Sequence, residues 1–205
     1  MGLYSERIFP WIMERSDPDE LKAERYAAVS DATGQALEIG VGTGANFAHY
    51  PSSVTAVTAV EPSSGMNHRA RRARAQSAVP VRLVAGDGQS LPFASRSFDT
   101  VLALFVLCTI ADPDRTLSEA RRVLKPDGRL LFLEHVSAPE PGVRRWQRRL
   151  EPIWKRIGCG CHLTRDTESK LSEAGFEVTS IDRYWLTKAP RIVGWVIRGS
   201  ARVAA

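Results

Sequence analysis

The stretch LEIGVGTGANFAHYP, Leu37 to Pro51, is an apolar run that breaks into three closely spaced glycines, and two nucleotide loops compete for it. Gly40, Gly42 and Ala45 satisfy the dinucleotide fingerprint, whereas Gly40, Gly42 and Gly44 satisfy a different one. Under either reading a strand feeds a turn whose glycines let backbone approach a ligand, and a following helix is expected to offer free amides to an anion. Glu38, inside the strand just before the loop, is out of place for a dinucleotide, where that position is usually apolar. It suits an acid held near a ligand's ammonium group.

The rest of the chain repeats the alternation that this stretch begins. QALEIG, VTAVTAVE, VRLVAGD, FDTVLALFV and RLLFLEHV read as buried parallel strands, because both faces are apolar and each run is bounded by Gly, Pro or Asp. Helical stretches lie between them. In DPDRTLSEARRVLKPDG, Asp112 can cap, Pro113 can take the first helical position, Leu117, Ala120 and Leu124 form the inner face, and KPDG ends the helix. Two helices, Tyr4 to Arg15 and Pro18 to Val29, precede the first strand; TRDTESKLSEAGFEVTSIDRYW reads as a helix capped by Gly175 and then an edge strand. Strands alternating with helices make an α/β fold of the doubly wound, Rossmann-like kind, which binds ligands beyond the carboxyl ends of its strands. Those ends carry Glu61 after the second strand, suited to ribose hydroxyls, and Asp87, Gly88 and Gln89 after the third, where an acid can accept from an adenine amine. Taken alone, Asp87 is equally well a turn residue making an Asx-type bond.

A chain of 205 residues, 43% hydrophobic and 25% charged, suits one well-filled domain. No run is long and apolar enough for a membrane span, and the N-terminal residues mix charge into their apolar positions, so a cytoplasmic protein is expected. Three cysteines, Cys108, Cys159 and Cys161, argue against a disulfide framework. The spacing of Cys159, Cys161 and His162 is too tight for a zinc-finger hairpin, so no metal is expected there, and Cys108 reads as a small core residue at an apolar helix start. The formal charge is +5. Arg69 to Arg74 are read as a solvated helix face. Nucleic acid is not expected as a partner: the site after the fourth strand reads LFVLCT, without the amide and prolines that hold a flipped base. GVRRWQRRLEPIWKRIG interleaves tryptophans with arginines, and is read as covering an acceptor pocket, with transient membrane-surface contact as the other reading.

ALEIGVGTGANF, VEPS and VAGDGQSLPFASRSFDTVLALFVLCTIADPDRTLSEARRVLKPDGRLLFLEHV resemble class I S-adenosylmethionine-dependent methyltransferases. The resemblance implies a mostly parallel, seven-stranded sheet flanked by helices in one domain. Residues 1–32 would form a helical cap over the cofactor, 33–136 the cofactor-binding core, and 137–205 the acceptor-side helix and C-terminal strands. It implies S-adenosylmethionine as cofactor and S-adenosylhomocysteine as product. Glu38, Gly40, Gly42 and Gly44 would hold the methionine moiety, Glu61 the ribose, and Asp87, Gly88 and Gln89 the adenine, with Asn46, Pro62 and Phe105 completing the set.

TGANFAHYP, FVLCTIADP, LFLEHV, EPIWKRIGCGCHLTRDT and AGF resemble, more narrowly, the methyltransferase-like protein 7 group of alkyl thiol S-methyltransferases. Two departures stand out: YSERIFPWIMER replaces that group's apolar anchor, and His162 stands where its animal members tend to carry cysteine. The resemblance implies a small, largely apolar acceptor, a thiol first, with a phospholipid amine or a quinone-type carbon as alternatives and a noncatalytic cofactor-binding domain as the different class. A thiol attacks as thiolate, so a base is needed, and His135 at the end of LFLEHV is the candidate; Glu134 and His135 could instead merely pair or cap the strand end. Tyr4, Trp11, Trp146, His162 and Arg165 are the candidates for lining the acceptor site.

Overall fold

The computed structural model describes residues 2–15 and 18–204. Five strands, β1 (Gly34–Ile39), β2 (Val54–Glu61), β3 (Val81–Ala85), β4 (Phe98–Leu104) and β5 (Leu124–His135), pair in parallel in the order β3-β2-β1-β4-β5. β6 (Phe176–Trp185) and β7 (Trp195–Val203) complete a seven-stranded sheet, with β7 antiparallel between β5 and β6. A π-type turn at Tyr4–Ile8 leads into α1 (Phe9–Arg15), followed by α2 (Asp19–Val29), α3 (Ser64–Ala73), α4 (Pro113–Val123), α5 (Pro141–Ile157) and α6 (Thr167–Glu173). Successive strand residues point to opposite faces. Leu37, Ile39, Val101 and Ala103 therefore join one core with Leu117 and Ala120 of α4 and Leu171 of α6, while Ala36, Val57, Leu102 and Leu104 join a second with Ala28 and Val29 of α2 and Ala70 of α3. Burial on both faces is why the central runs lack polar alternation; β3, read as buried, is an edge strand whose residues are all partly buried or exposed.

The order reverses between β1 and β4, so the connections leaving their carboxyl ends run to opposite faces and open a crevice, the place where such sheets bind ligands.

Three expectations are corrected. The glycine loop is followed by a single 3-10 turn, Phe47–His49, and no α-helix, so no helix N-terminus points at a ligand there. Gly40, Gly42 and Gly44 coil through φ of +66°, +57° and +83°, the fully buried Phe47 packs beneath Gly44, and Pro51 follows before a helix could propagate. KPDG lies within β5, not at a helix end: Leu124 already pairs with Phe98, and the register shifts before Thr100 meets Arg129, with Lys125 Nζ 2.8 Å from Asp99. Cys108 sits in the turn after β4 and does not start a helix, although it is buried as expected.

The N-terminal segment docks on α3 through one acid. Glu6 Oε2 accepts from the Ser64 hydroxyl and the Gly65 amide, both at 2.8 Å, so a residue distant in sequence caps the helix. The fit is close: a Cβ on Gly65 would stand 1.9 Å from the Glu6 carbonyl oxygen. Gly65→Ala is therefore expected to lift the segment. Loss of a cap is worth about 1 kcal/mol, or about five-fold in open population, read as faster proteolysis within residues 2–15 while the sheet's Tm is kept. An unchanged cleavage rate would count against the docking. The Gly65 hydrogen bond, foremost, holds the Glu6 carboxyl below its ordinary value. The latch is thus complete above the ordinary carboxylate range and weakens as pH falls through Glu6's own lower value.

Candidate functional site

A cavity of about 480 Å³ occupies the crevice, within the range that takes a small ligand. Its lining includes nine residues singled out from the sequence: Gly40, Gly42, Asn46, Glu61, Pro62, Asp87, Gly88, Gln89 and Phe105. Glu6, Phe9 and Met13 cover it from the N-terminal segment, Arg25 reaches it from α2, and Thr109, Ile110 and Cys159 line the far end. A cap over the cavity was expected of residues 1–32 as a segment, but none of these side chains was assigned to the site from the sequence. Arg25 lies in a helix with no apolar stripe to mark its inward face, and the others belong to segments whose approach depends on the fold.

Glu61 is anchored by two backbone amides. Its Oε2 accepts from the Gly42 amide and its Oε1 from the Ser63 amide, each at 2.9 Å, which ties the glycine loop to the end of β2. Burial raises its carboxyl above the ordinary value, opposed by those two amides. Asp87 makes the Asx-type bond, Oδ1 accepting from the Gln89 amide at 2.9 Å, and also accepts from the Gln89 side chain while facing the cavity. Glu38 stands one layer behind the lining: it accepts from Asn46 Nδ2 and, at 2.6 Å, from the Tyr50 hydroxyl, and Arg25 donates to Asn46 Oδ1 at 3.1 Å. Glu38 thereby orients Asn46. Gly44 also lies outside this cavity, packed on Phe47 and Ala73.

The cradle fits a nucleoside with a charged tail. At Gly42 no atom lies within 4 Å of where a Cβ would stand, so a side chain there would project into open space at the cavity wall. Acids at the ends of β2 and β3 supply acceptors for hydroxyls and an amine.

A family model for a methyltransferase domain matches residues 37–132. Thiol S-methyltransferase TMT1B of Rattus norvegicus is 36% identical over 191 residues, covering 86% of this chain and 78% of that protein. The chain belongs to the methyltransferase-like protein 7 group of class I methyltransferases. TMT1B of Homo sapiens is 34% identical over 93% of this chain and 86% of that protein. The YcgJ protein of Bacillus subtilis shares the fold, with a TM-score of 0.70 at 17% identity, covering 91% of this chain and 99% of that one. The protein is thus an S-adenosylmethionine-dependent methyltransferase acting on a small-molecule acceptor.

In this methyltransferase the loop after β4 is held from two sides. Phe105 takes a positive φ of 57°, and its amide donates to Leu133 O at 2.6 Å. Glu134, fully buried, accepts from the amides of Val106, Leu107 and Cys108 at 3.0, 2.7 and 2.9 Å. It does not pair with His135. Burial pushes its carboxyl up, against the pull of the Cys108 and Leu107 amides. Arg165 donates to Leu107 O and, at 2.8 Å, to Ile110 O, so it braces the same loop and does not line the cavity. The signal for Glu134 was present in the sequence as an acid inside an apolar strand, which must find buried donors.

The other acceptor-side candidates also lie off the cavity lining. Tyr4 donates to Ile157 O at 2.7 Å, Trp11 is half exposed under Arg15, and His162 pairs with Glu151 at 3.1 Å, burial lowering its pKa. His135 stacks on Phe105 with ring centroids 4.7 Å apart and turns Nδ1 toward the sulfurs of Cys108 and Cys161. Those thiols differ. Cys108 is pushed up to about 12, first by its hydrogen bond with Cys161 and then by burial, whereas that bond lowers Cys161.

Pocket cover by the tryptophan-rich helix α5 is corrected too. Its inward face is Gln147, Glu151 and Trp154: Gln147 Oε1 accepts from the Ala138 amide at 2.9 Å, and Glu151 accepts from the Thr164 amide at 3.0 Å. Trp154 packs on Cys108, Cys161 and Leu163. Trp146, Leu150, Ile153 and Ile157 form a neighbouring stripe that stays exposed, Trp146 at 55%. Polar anchoring by Gln147 and Glu151 thus sets Trp154 inward and leaves the adjoining apolar stripe to solvent.

Proposed function

We propose that the enzyme S-methylates small, largely apolar thiols. The likeness to thiol S-methyltransferases over nearly the whole chain carries this reading. Phe9, Met13, Phe105 and Ile110 supply apolar wall in the cavity. Within it we assign Glu61 and Pro62 to the ribose, Asp87, Gly88 and Gln89 to the adenine, and Gly40, Gly42 and Asn46 to the methionine end, with Glu38 fixing Asn46 from behind.

Bound S-adenosylmethionine supplies a methyl group on a sulfonium, open to in-line displacement. The chain's task is alignment and exclusion of water. Glu61 and the glycine loop hold the donor end, the Glu6 latch keeps Phe9 and Met13 over the cavity, and the braced loop from Phe105 to Ile110 sets the acceptor wall. An acceptor thiol of pKa about 8.5 must also lose its proton to attack.

The exposed stripe of α5 supports transient contact with an anionic membrane surface. Arg145, Arg148, Arg149 and Arg156 flank it, with Arg149 5.6 Å from the Trp146 ring. Among the described residues no helix is long and apolar enough to cross a membrane.

Two measurements test the two parts. S-adenosylhomocysteine formation is followed with a small alkyl or aryl thiol, with phosphatidylethanolamine vesicles, and without acceptor, and co-sedimentation is followed with anionic vesicles. Turnover with the thiol alone, and pelleting that is lost in Trp146→Ala and Ile153→Ala, is expected. Turnover confined to the vesicles would transfer the function to lipid amine methylation.

A further inference from the structure

Three chemistry-bearing side chains that the cofactor assignment leaves unused meet behind the acceptor wall. Cys108 Sγ lies 3.8 Å from Cys161 Sγ, and His135 Nδ1 lies 3.8 Å from the first sulfur and 3.7 Å from the second. For a tetrahedral zinc ion with Zn–S of about 2.3 Å and Zn–N of about 2.0–2.1 Å, the S···S and S···N edges come to about 3.8 and about 3.6 Å. The three groups thus stand at the separations of one face of that tetrahedron without rearrangement. We propose that Cys108, Cys161 and His135 form a binding site for a zinc-class divalent cation, its fourth position left to water or to the acceptor thiol.

Three features of the surroundings support the assignment. The donors are the nitrogen and sulfur types that zinc prefers over hard oxygen-binding cations. They are held in advance: Glu134 fixes the Cys108 amide, the His162 amide donates to Cys108 O at 2.7 Å and so joins the two cysteine loops, and the Cys161 amide donates to Gly158 O at 3.1 Å. The neighbouring acids are already committed, Glu134 to three amides and Glu151 to Thr164 and His162. Among the described residues the cluster therefore offers three protein ligands, the number that a catalytic zinc site uses while keeping one position open. This trio is not the Cys159, Cys161 and His162 set considered from spacing; only Cys161 is shared.

The cluster adjoins the cavity. Phe105 stacks on His135, the Thr109 hydroxyl is 3.5 Å from Cys108 Sγ, and both residues line the cavity. The role of the fourth position rests on the thiol reading given above; the metal site itself does not. A thiol taking that position loses its S–H proton to solvent and forms a sulfur–metal bond in place of water, which supplies a thiolate at neutral pH.

The test uses the full chain, reduced, stripped with a chelator and titrated with Zn²⁺ and separately with Co²⁺. One equivalent of zinc per chain and a Co²⁺ spectrum with thiolate charge transfer are expected, both lost in Cys108→Ser, Cys161→Ser and His135→Ala and both kept in Cys159→Ser. X-ray absorption at the zinc edge in the unsubstituted protein, expected to show two sulfurs at about 2.3 Å and a nitrogen at about 2.0–2.1 Å, gives a readout that needs no variant to fold. No stoichiometric binding, or a Co²⁺ spectrum unchanged by removing either cysteine, would overturn the site. At pH 7 a free thiol of pKa about 8.5 is about 3% thiolate, so metal-free protein should lose up to about 30-fold in thiol turnover. Equal turnover with and without metal would overturn the activating role. Metal bound in the absence of any thiol turnover would retire the thiol reading and leave the site standing.

Discussion

Glu61→Ala is expected to weaken S-adenosylmethionine binding about 100-fold while leaving the sheet folded. The carboxylate accepts the Gly42 and Ser63 amides, and so sets the position of the glycine loop relative to β2. In the assignment proposed here it also receives the ribose hydroxyls. Hydrogen bonds to a charged group contribute about 1.5–3 kcal/mol each, so losing two costs about 3 kcal/mol, which is about 100-fold in Kd. Glu61→Gln keeps the shape and one acceptor, and should cost about ten-fold. Because burial raises the Glu61 carboxyl above its ordinary value, binding by the unsubstituted protein should weaken on acidification before exposed carboxylates titrate. The glutamine variant should lack that dependence. Calorimetric titration with S-adenosylhomocysteine at two pH values reads all three, and an alanine variant within three-fold of the parent would remove Glu61 from the binding site.

The second large effect falls on stability. Glu134→Ala leaves the amides of Val106, Leu107 and Cys108 without their acceptor beneath a fully buried side chain. A buried donor left unpaired costs about 1–3 kcal/mol, so the sum is at least about 3 kcal/mol. That is a large share of the roughly 5–15 kcal/mol by which domains are stable. Glu134→Gln should cost less, about 2 kcal/mol, because its carbonyl still serves part of the turn while its amide nitrogen opposes an N–H. Urea unfolding followed by tryptophan fluorescence gives both values. A loss below about 1 kcal/mol for the alanine variant would mean that water, not Glu134, satisfies the turn.

The sheet's parallel strands were legible because their signals are local. LEIG, VTAVTAVE and VLALF state burial on both faces, and the glycines and acids that stop them mark the ends where the cavity forms. Asp112 and Pro113 marked the start of α4 for the same reason. α5 was misread because its apolar residues were assumed to face inward. In the fold Gln147 and Glu151 find backbone partners at Ala138 and Thr164, and that polar anchoring outweighs exposure of Trp146 and Ile153. The acceptor-side candidates failed on a related point: Arg165 and His162 are close to the site in sequence pattern, but carbonyls and Glu151 claim them.

By itself the sequence determined the alternating strands and helices, the glycine loop and the acids at the strand ends, since each depends on residues within a few positions of one another. Only the tertiary structure decided which face of α5 is buried, that Glu134 serves the turn after β4, and that Cys108, His135 and Cys161 meet. The partners of Glu134 and within the Cys108, His135 and Cys161 cluster lie 26 to 53 residues apart, and their contact exists only once β4, β5 and the loop after α5 are packed side by side.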